Sequence, residues 1–119
     1  MRVLVLSNGR LEKREINNNV GELQAIVGGY IEMPYVSKVL SDNWIHIVIN
    51  EEGKLLEGLR VEIVVVNEDN LILDVIYGNC IFVGSSEEDF IDLTDEQIEV
   101  VKNVLGYGVY GNDEVRVIR

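Results

Sequence analysis

The sequence predicts an α+β fold: a mostly antiparallel sheet with two helices, at about residues 20–27 and 95–105. Three observations lead there. Short runs of β-branched or alternating apolar residues recur along the chain, at 2–6, 11–16, 30–36, 44–50, 61–66, 71–76, 79–83 and 115–118. Only two stretches combine helical apolar spacing with capping residues. The 119 residues are 47% apolar, with 11 Gly and one Pro, which suits one domain, 1–119, with a core of its own and no low-complexity linker.

Each element has a local reason. Residues 2–6 and 11–16 flank Asn8-Gly9, a pair that accepts the positive φ of a type I′ hairpin turn. An Asn among 17–19 caps the first helix, whose apolar positions are Val20, Leu23, Ile26 and Val27, and Gly28-Gly29 ends it. Pro34 has no backbone donor, so 30–36 is expected at a sheet edge or interrupted. In 44–50, Ile45, Ile47 and Ile49 alternate with Trp44, His46 and Val48; two apolar faces predict a central strand and a half-buried His46. Turns at Gly53 and at Asn67-Glu68-Asp69-Asn70 bracket the run 61–66. Thr94 and Gln97 have capping-box spacing for the second helix, with Ile98, Val101, Val104 and Leu105 as its stripe and Gly106 as its stop.

Charge narrows the functions. Ten Lys and Arg against 21 Asp and Glu give −11, which repels phosphate backbones and argues against direct nucleic-acid binding. Glu87, Glu88, Asp89, Asp92, Asp95, Glu96 and Glu99 follow one another with no Lys or Arg between them, as a solvated helix entry or as a contact surface for a basic partner. No run approaches the roughly 20 apolar residues of a membrane helix, the apolar start is too short for a secretory signal, and the lone Cys80 forms no intrachain disulfide. The expectation is a cytoplasmic protein without a membrane partner.

Catalytic and cofactor motifs are missing. Gly106-Tyr107-Gly108-Val109-Tyr110-Gly111 has the Gly-x-Gly-x-x-Gly spacing of a dinucleotide loop. Such a loop stands between a strand and a helix N-terminus, whose amides meet the phosphates; here the glycines follow a helix and precede a strand, so they read as a turn. His46 is the only histidine and has no cysteine near it, no serine lies in a Gly-x-Ser-x-Gly elbow, and 67–74 lacks the rhythm of a calcium loop. No catalytic residue, metal site or cofactor is expected, and the chain is read as a non-enzyme.

Three stretches carry a resemblance: "LQAIVGGYIE" (23–32), "VINEEGKLLEGL" (48–59) and "EDFIDLTDEQIE" (88–99). Together they resemble a family of small proteins carried mostly by phages, plasmids and Firmicutes-type bacteria, known only as a domain of unknown function. The likeness runs from the first strand to about Leu105. The family pattern continues from its Gly-Lys-Leu turn into Leu-Pro-x-Asn, whereas this chain continues into Leu59-Arg60-Val61-Glu62. The resemblance implies a small accessory protein of a mobile genetic element, a class that often counters host defences.

Two readings of function stay open. In the first, Glu87, Glu88, Asp89 and Asp92 form an acidic face that binds and inhibits a host protein with a basic surface, for example one of its defence. In the second, the chain sequesters a small nucleotide-like ligand without turnover. Its site then draws on Tyr30, Glu32, Asn50, Lys54, Arg60, Tyr107 and Tyr110, at a homo-oligomer interface if the chain assembles. Arg116 is a further candidate anion ligand.

Overall fold

The structure, a computed structural model, describes residues Met1–Arg119. Its elements in chain order are β1 (Arg2–Ser7), β2 (Arg10–Glu15), α1 (Val20–Val27), β3 (Ile31–Glu32), α2 (Lys38–Asp42), β4 (Ile45–Asn50), a 3-10 turn (Gly53–Leu55), β5 (Val61–Val66), β6 (Ile72–Tyr77), β7 (Cys80–Ser85), β8 (Phe90–Ile91), α3 (Asp95–Val104), β9 (Gly106–Tyr110) and β10 (Asp113–Ile118). The α+β class and the mostly antiparallel pairing are as expected. The expected single sheet and two helices are in fact two sheets and three helices. One sheet has the order β2-β1-β7-β4-β3, with β8 beside the end of β7; the other has the order β6-β5-β10-β9. β5 and β10 are the one parallel pair.

Alternation along the strands builds three layers. Leu4, Leu6, Ile45, Ile47, Ile49, Cys80 and Phe82 project from one face of the first sheet. They meet Ile63, Val65, Ile76 and Ile118 of the second sheet, together with Leu40 of α2 and Ile98 and Val101 of α3. Val3, Val5, Val48, Ile81 and Val83 face the other way and are covered by Leu23 and Val27 of α1. Each such burial contributes roughly 1.5–3 kcal/mol, so the helical stripes fix which face of each sheet is internal. On the outer face of the second sheet, Val61, Val64, Val66 and Val115 form a smaller cluster against which Tyr110 packs.

The local signals act as their chemistry requires. Asn8 and Gly9 take φ values of 51° and 79°, closing the β1–β2 hairpin. The Asn19 side chain accepts from Glu22 N at 2.8 Å to start α1, and Gly28 at φ 86° ends it. Thr94 Oγ1 accepts from Gln97 N at 3.1 Å while Gln97 Oε1 accepts from Thr94 N at 2.9 Å, a complete capping box.

Four expectations need correction. The strand over 30–36 is reduced to Ile31–Glu32; beyond Pro34, Ser37 Oγ accepts from Leu40 N at 3.3 Å and caps the five-residue α2. The Gly-x-Gly-x-x-Gly stretch is mainly a strand, not a turn. Helix α3 stops at Val104, Leu105 is already extended, and Gly106 opens β9. A Cβ on Gly108 would stand 2.6 Å from Val117 Cγ2, so glycine lets the Val117 side chain of the neighbouring β10 lie against β9 there; only Gly111, at φ 62°, serves the turn between them. Trp44 is not part of β4, since its φ is 57°, and it is exposed. His46 is exposed rather than half-buried, while Val48 on the same face is covered by α1.

Cys80 is fully buried, and burial pushes its thiol well above the usual range, with the Glu62 charge adding to the shift. It is a small core residue held in its protonated, unreactive form. No helix is long and apolar enough to cross a membrane.

Candidate functional site

The β7–β8 hairpin presents the acidic segment. Gly84 makes it possible: a Cβ there would lie 2.8 Å from the Asp92 carbonyl oxygen and 3.0 Å from that of Ile91, so any larger residue pushes β8 off β7. At the tip, Ser86 N donates to Asp89 O at 2.8 Å and Asp89 N to Ser86 Oγ at 3.3 Å. Glu87, Glu88 and Asp89 are exposed, and none of them takes part in an ion pair. Asp92 belongs elsewhere. Its Oδ1 accepts from Arg2 N at 2.7 Å, which ties the segment after β8 to β1.

Beside the three free carboxylates lies an apolar and aromatic surface. They line a depression of about 370 Å³ with Met33, His46 and Phe90. The His46 and Phe90 rings are tilted at 55° with centroids 6.2 Å apart. Met33 and His46 also line an adjoining hollow that contains Tyr35, which is 73% exposed.

Trp44 is 57% exposed, and its carbonyl accepts from Ser85, one of the residues that line the depression. A positive φ in a bulky residue costs about 1–2 kcal/mol, because Cβ crowds the next carbonyl. The neighbouring backbone enforces it. Trp44 O accepts from Ser85 N at 2.9 Å, from Ser85 Oγ at 3.3 Å and from Gln97 Nε2 at 3.3 Å. The chain thus holds an indole toward solvent in a conformation that glycine or asparagine would adopt with less strain.

The residues of the ligand reading do not form one site. Glu32, Asn50 and Lys54 line a cleft of about 100 Å³ with Asp74 and Tyr77. Lys54 is committed there to Asp74, whose hydrogen bond holds its ammonium above the usual lysine value against the opposing effect of burial. Asn50 is buried and bonded at both ends of its amide, donating to Val27 O at 3.2 Å and accepting from Glu52 N at 2.8 Å. Tyr30 is exposed outside this cleft, with its carbonyl bound to Glu51 N at 2.8 Å. Tyr110 packs on the outer face of the second sheet. Arg60 and Tyr107 meet in a different depression, near the β1–β2 turn.

Two of the stretches that carry the family resemblance pair with each other. Ile31 stands opposite Asn50, and Glu32 opposite Ile49, where β3 meets β4. Asn50 then closes the end of α1. This is a structural joint, built from the Gly-Gly-Tyr-Ile-Glu and Asn-Glu-Glu-Gly-Lys segments together.

Arg60 and Glu62, in the segment that departs from the family pattern, form a second joint. Glu62 is 2% exposed although it lies in a strand of valines. Its Oε2 accepts from Asn8 N at 3.0 Å and its Oε1 from Gly9 N at 2.8 Å, and Arg60 Nε lies 3.3 Å from Oε2. A carboxylate with two backbone donors and a guanidinium has the partners a buried charge requires.

Sequence reasoning did not single out Met33, Tyr35, Trp44, His46 or Phe90 as a surface. The signal for Trp44 was its place just after the polar Ser41-Asp42-Asn43, where a helix ends. For the others only tertiary structure brings the positions together.

No curated protein and no solved structure is significantly similar to the chain. Residues 1–106 match a family described as a domain of unknown function, DUF3846. That match spans β1 to the start of β9, including every residue of the acidic hairpin and its aromatic surroundings, and the chain belongs to the DUF3846 family.

Proposed function

We propose that the protein is a non-enzymatic interaction protein whose β7–β8 hairpin and adjoining aromatic surface dock a protein with a basic face. The observation that carries this reading is the junction of the unpaired Glu87, Glu88 and Asp89 with the exposed Met33, Tyr35 and His46 and the half-buried Phe90, with the exposed Trp44 bonded through its carbonyl to Ser85 of the same depression. Carboxylates free of intramolecular partners steer a cationic surface and have no internal pairs to break on binding. Exposed Trp, Tyr and Met supply the area that stabilises the docked complex, since binding energy concentrates at such anchors. The strain held at Trp44 supports the same reading. The mobile-element context implied by the sequence resemblance points to a host defence protein, docked through its nucleic-acid-binding face, as the partner.

The test is the triple variant Glu87→Lys/Glu88→Lys/Asp89→Lys. Immobilised wild-type protein is expected to retain a basic protein from host lysate and to release it as salt is raised, because exposed charges are screened beyond about 8–10 Å. The variant is expected to retain none of it, with stability unchanged to within about 0.5 kcal/mol because the three side chains are exposed and form no ion pair. Equal retention by the variant contradicts the proposal.

A further inference from the structure

The protein also carries a concentrated cationic cleft, at the opposite end of β7 from the acidic hairpin. Four of the chain's ten Lys and Arg residues line two adjoining depressions of about 470 and 210 Å³: Arg10, Arg60, Lys102 and Arg116. Tyr107 lines both depressions with Arg10 and Arg116. Distant parts of the chain supply these residues: the β1–β2 turn, the entry to β5, the end of α3, and the β9–β10 pair. In β9–β10, Tyr107 and Arg116 stand directly opposite each other.

Arg116 is the centre of this cleft. The chain has 21 carboxylates, yet none is within ion-pair distance of its guanidinium. It is half-buried, donates one Nη1 bond to Leu105 O at 3.3 Å, and lies 4.2 Å from the centroid of the Tyr107 ring. The Arg60 guanidinium is held by Glu62 and the Glu114 carbonyl, but the Arg116 Nε is buried without a hydrogen-bond partner. Donors in that position are costly unless a ligand or solvent reaches them, and a guanidinium fork matches a phosphate. The pairs Arg10–Glu12 at 3.5 Å and Lys102–Glu99 at 3.6 Å are exposed and weak, so both cations are free to turn toward an incoming anion.

Tyr107 supplies the second half of the recognition. It is 80% exposed, with Arg116 against its ring and the rest of the side chain open to solvent. A tyrosine stacked on an arginine is a platform for a flat aromatic base. The larger depression falls within the roughly 300–1,000 Å³ of small-molecule sites. The net charge of −11 disfavours a long polyanion but not a small one, because screening leaves the nearest cations dominant.

We infer that the cleft between the β1–β2 turn, the end of α3 and the β9–β10 pair binds a mononucleotide, its phosphates on Arg116, Arg10 and Lys102 and its base on Tyr107. This site is separate from the docking surface and does not depend on it.

Calorimetric titration of the full chain with ADP, GDP, CDP, UDP, pyrophosphate and adenosine tests the inference. At least one nucleoside diphosphate is expected to bind tenfold or more tightly than pyrophosphate, and adenosine more weakly than ADP. Arg116→Leu is expected to abolish nucleotide binding. Tyr107→Leu, at an exposed position that leaves folding intact, is expected to weaken the nucleotide about tenfold and to leave pyrophosphate unchanged. Absence of binding by every nucleotide at millimolar concentration overturns the site. Binding that neither substitution alters overturns it as well.

Discussion

Glu62→Ala is expected to destabilise the protein by about 3–5 kcal/mol, the usual cost of removing one member of a buried charged cluster. The substitution leaves Asn8 N and Gly9 N without their acceptor and Arg60 without its counter-ion. It also frees the β1–β2 turn from the second sheet. In a chain of 119 residues this corresponds to a fall in melting temperature of more than about 10 °C. Glu62→Gln keeps one carbonyl acceptor and is expected to fall between the variant and the wild type. Thermal unfolding followed by circular dichroism checks both. A Glu62→Ala melting temperature within about 2 °C of wild type contradicts the role assigned to this carboxylate.

Trp44→Asn separates display from folding. Two terms act on stability. Relief of the left-handed strain favours the variant by about 1–2 kcal/mol. Loss of the contacts made by the buried part of the indole opposes it by a similar amount. The net change is expected to be below about 1 kcal/mol. Partner capture, by contrast, is expected to weaken at least tenfold, since truncating a tryptophan anchor costs about 2 kcal/mol or more of binding. A variant that captures the partner as wild type does would show that the exposed indole has no part in docking. Urea denaturation and a quantitative pull-down, run on the same preparation, give the two numbers.

The parts of the fold written in local chemistry were legible in the sequence. Asn8-Gly9 specifies its hairpin turn, and Thr94 with Gln97 specifies the start of α3. The alternation of Ile45, Ile47 and Ile49 specifies the core face of β4. Helix α2 was not legible, because the five residues Lys38–Asp42 are too few to show a period and only Ser37 marks the start. Nor was β9. Glycine disfavours strands on its own, and Gly106 and Gly108 are extended because β10 lies alongside them. The burial of Glu62 has no local signal, because the turn that covers it lies more than fifty residues away in the chain.

The candidate surfaces were legible in the same partial way. The charge run located Glu87, Glu88 and Asp89, which are exposed and unpaired. It could not separate Asp92, whose partner Arg2 is distant in sequence. Arg60, Tyr107 and Arg116 are ligand candidates by sequence, but their meeting with Arg10 and Lys102 depends on the second sheet packing beside α3.

The central claim is that the protein docks its partner through the acidic hairpin and the aromatic surface beside it. Hydrogen exchange of the protein, free and in complex with the captured partner, measures this most directly. The account predicts slowed exchange over residues 33–35, 44–46 and 86–90, with the β1–β2 turn and residues 105–110 unchanged. Protection confined to other segments, with 86–90 exchanging as in the free protein, would contradict it.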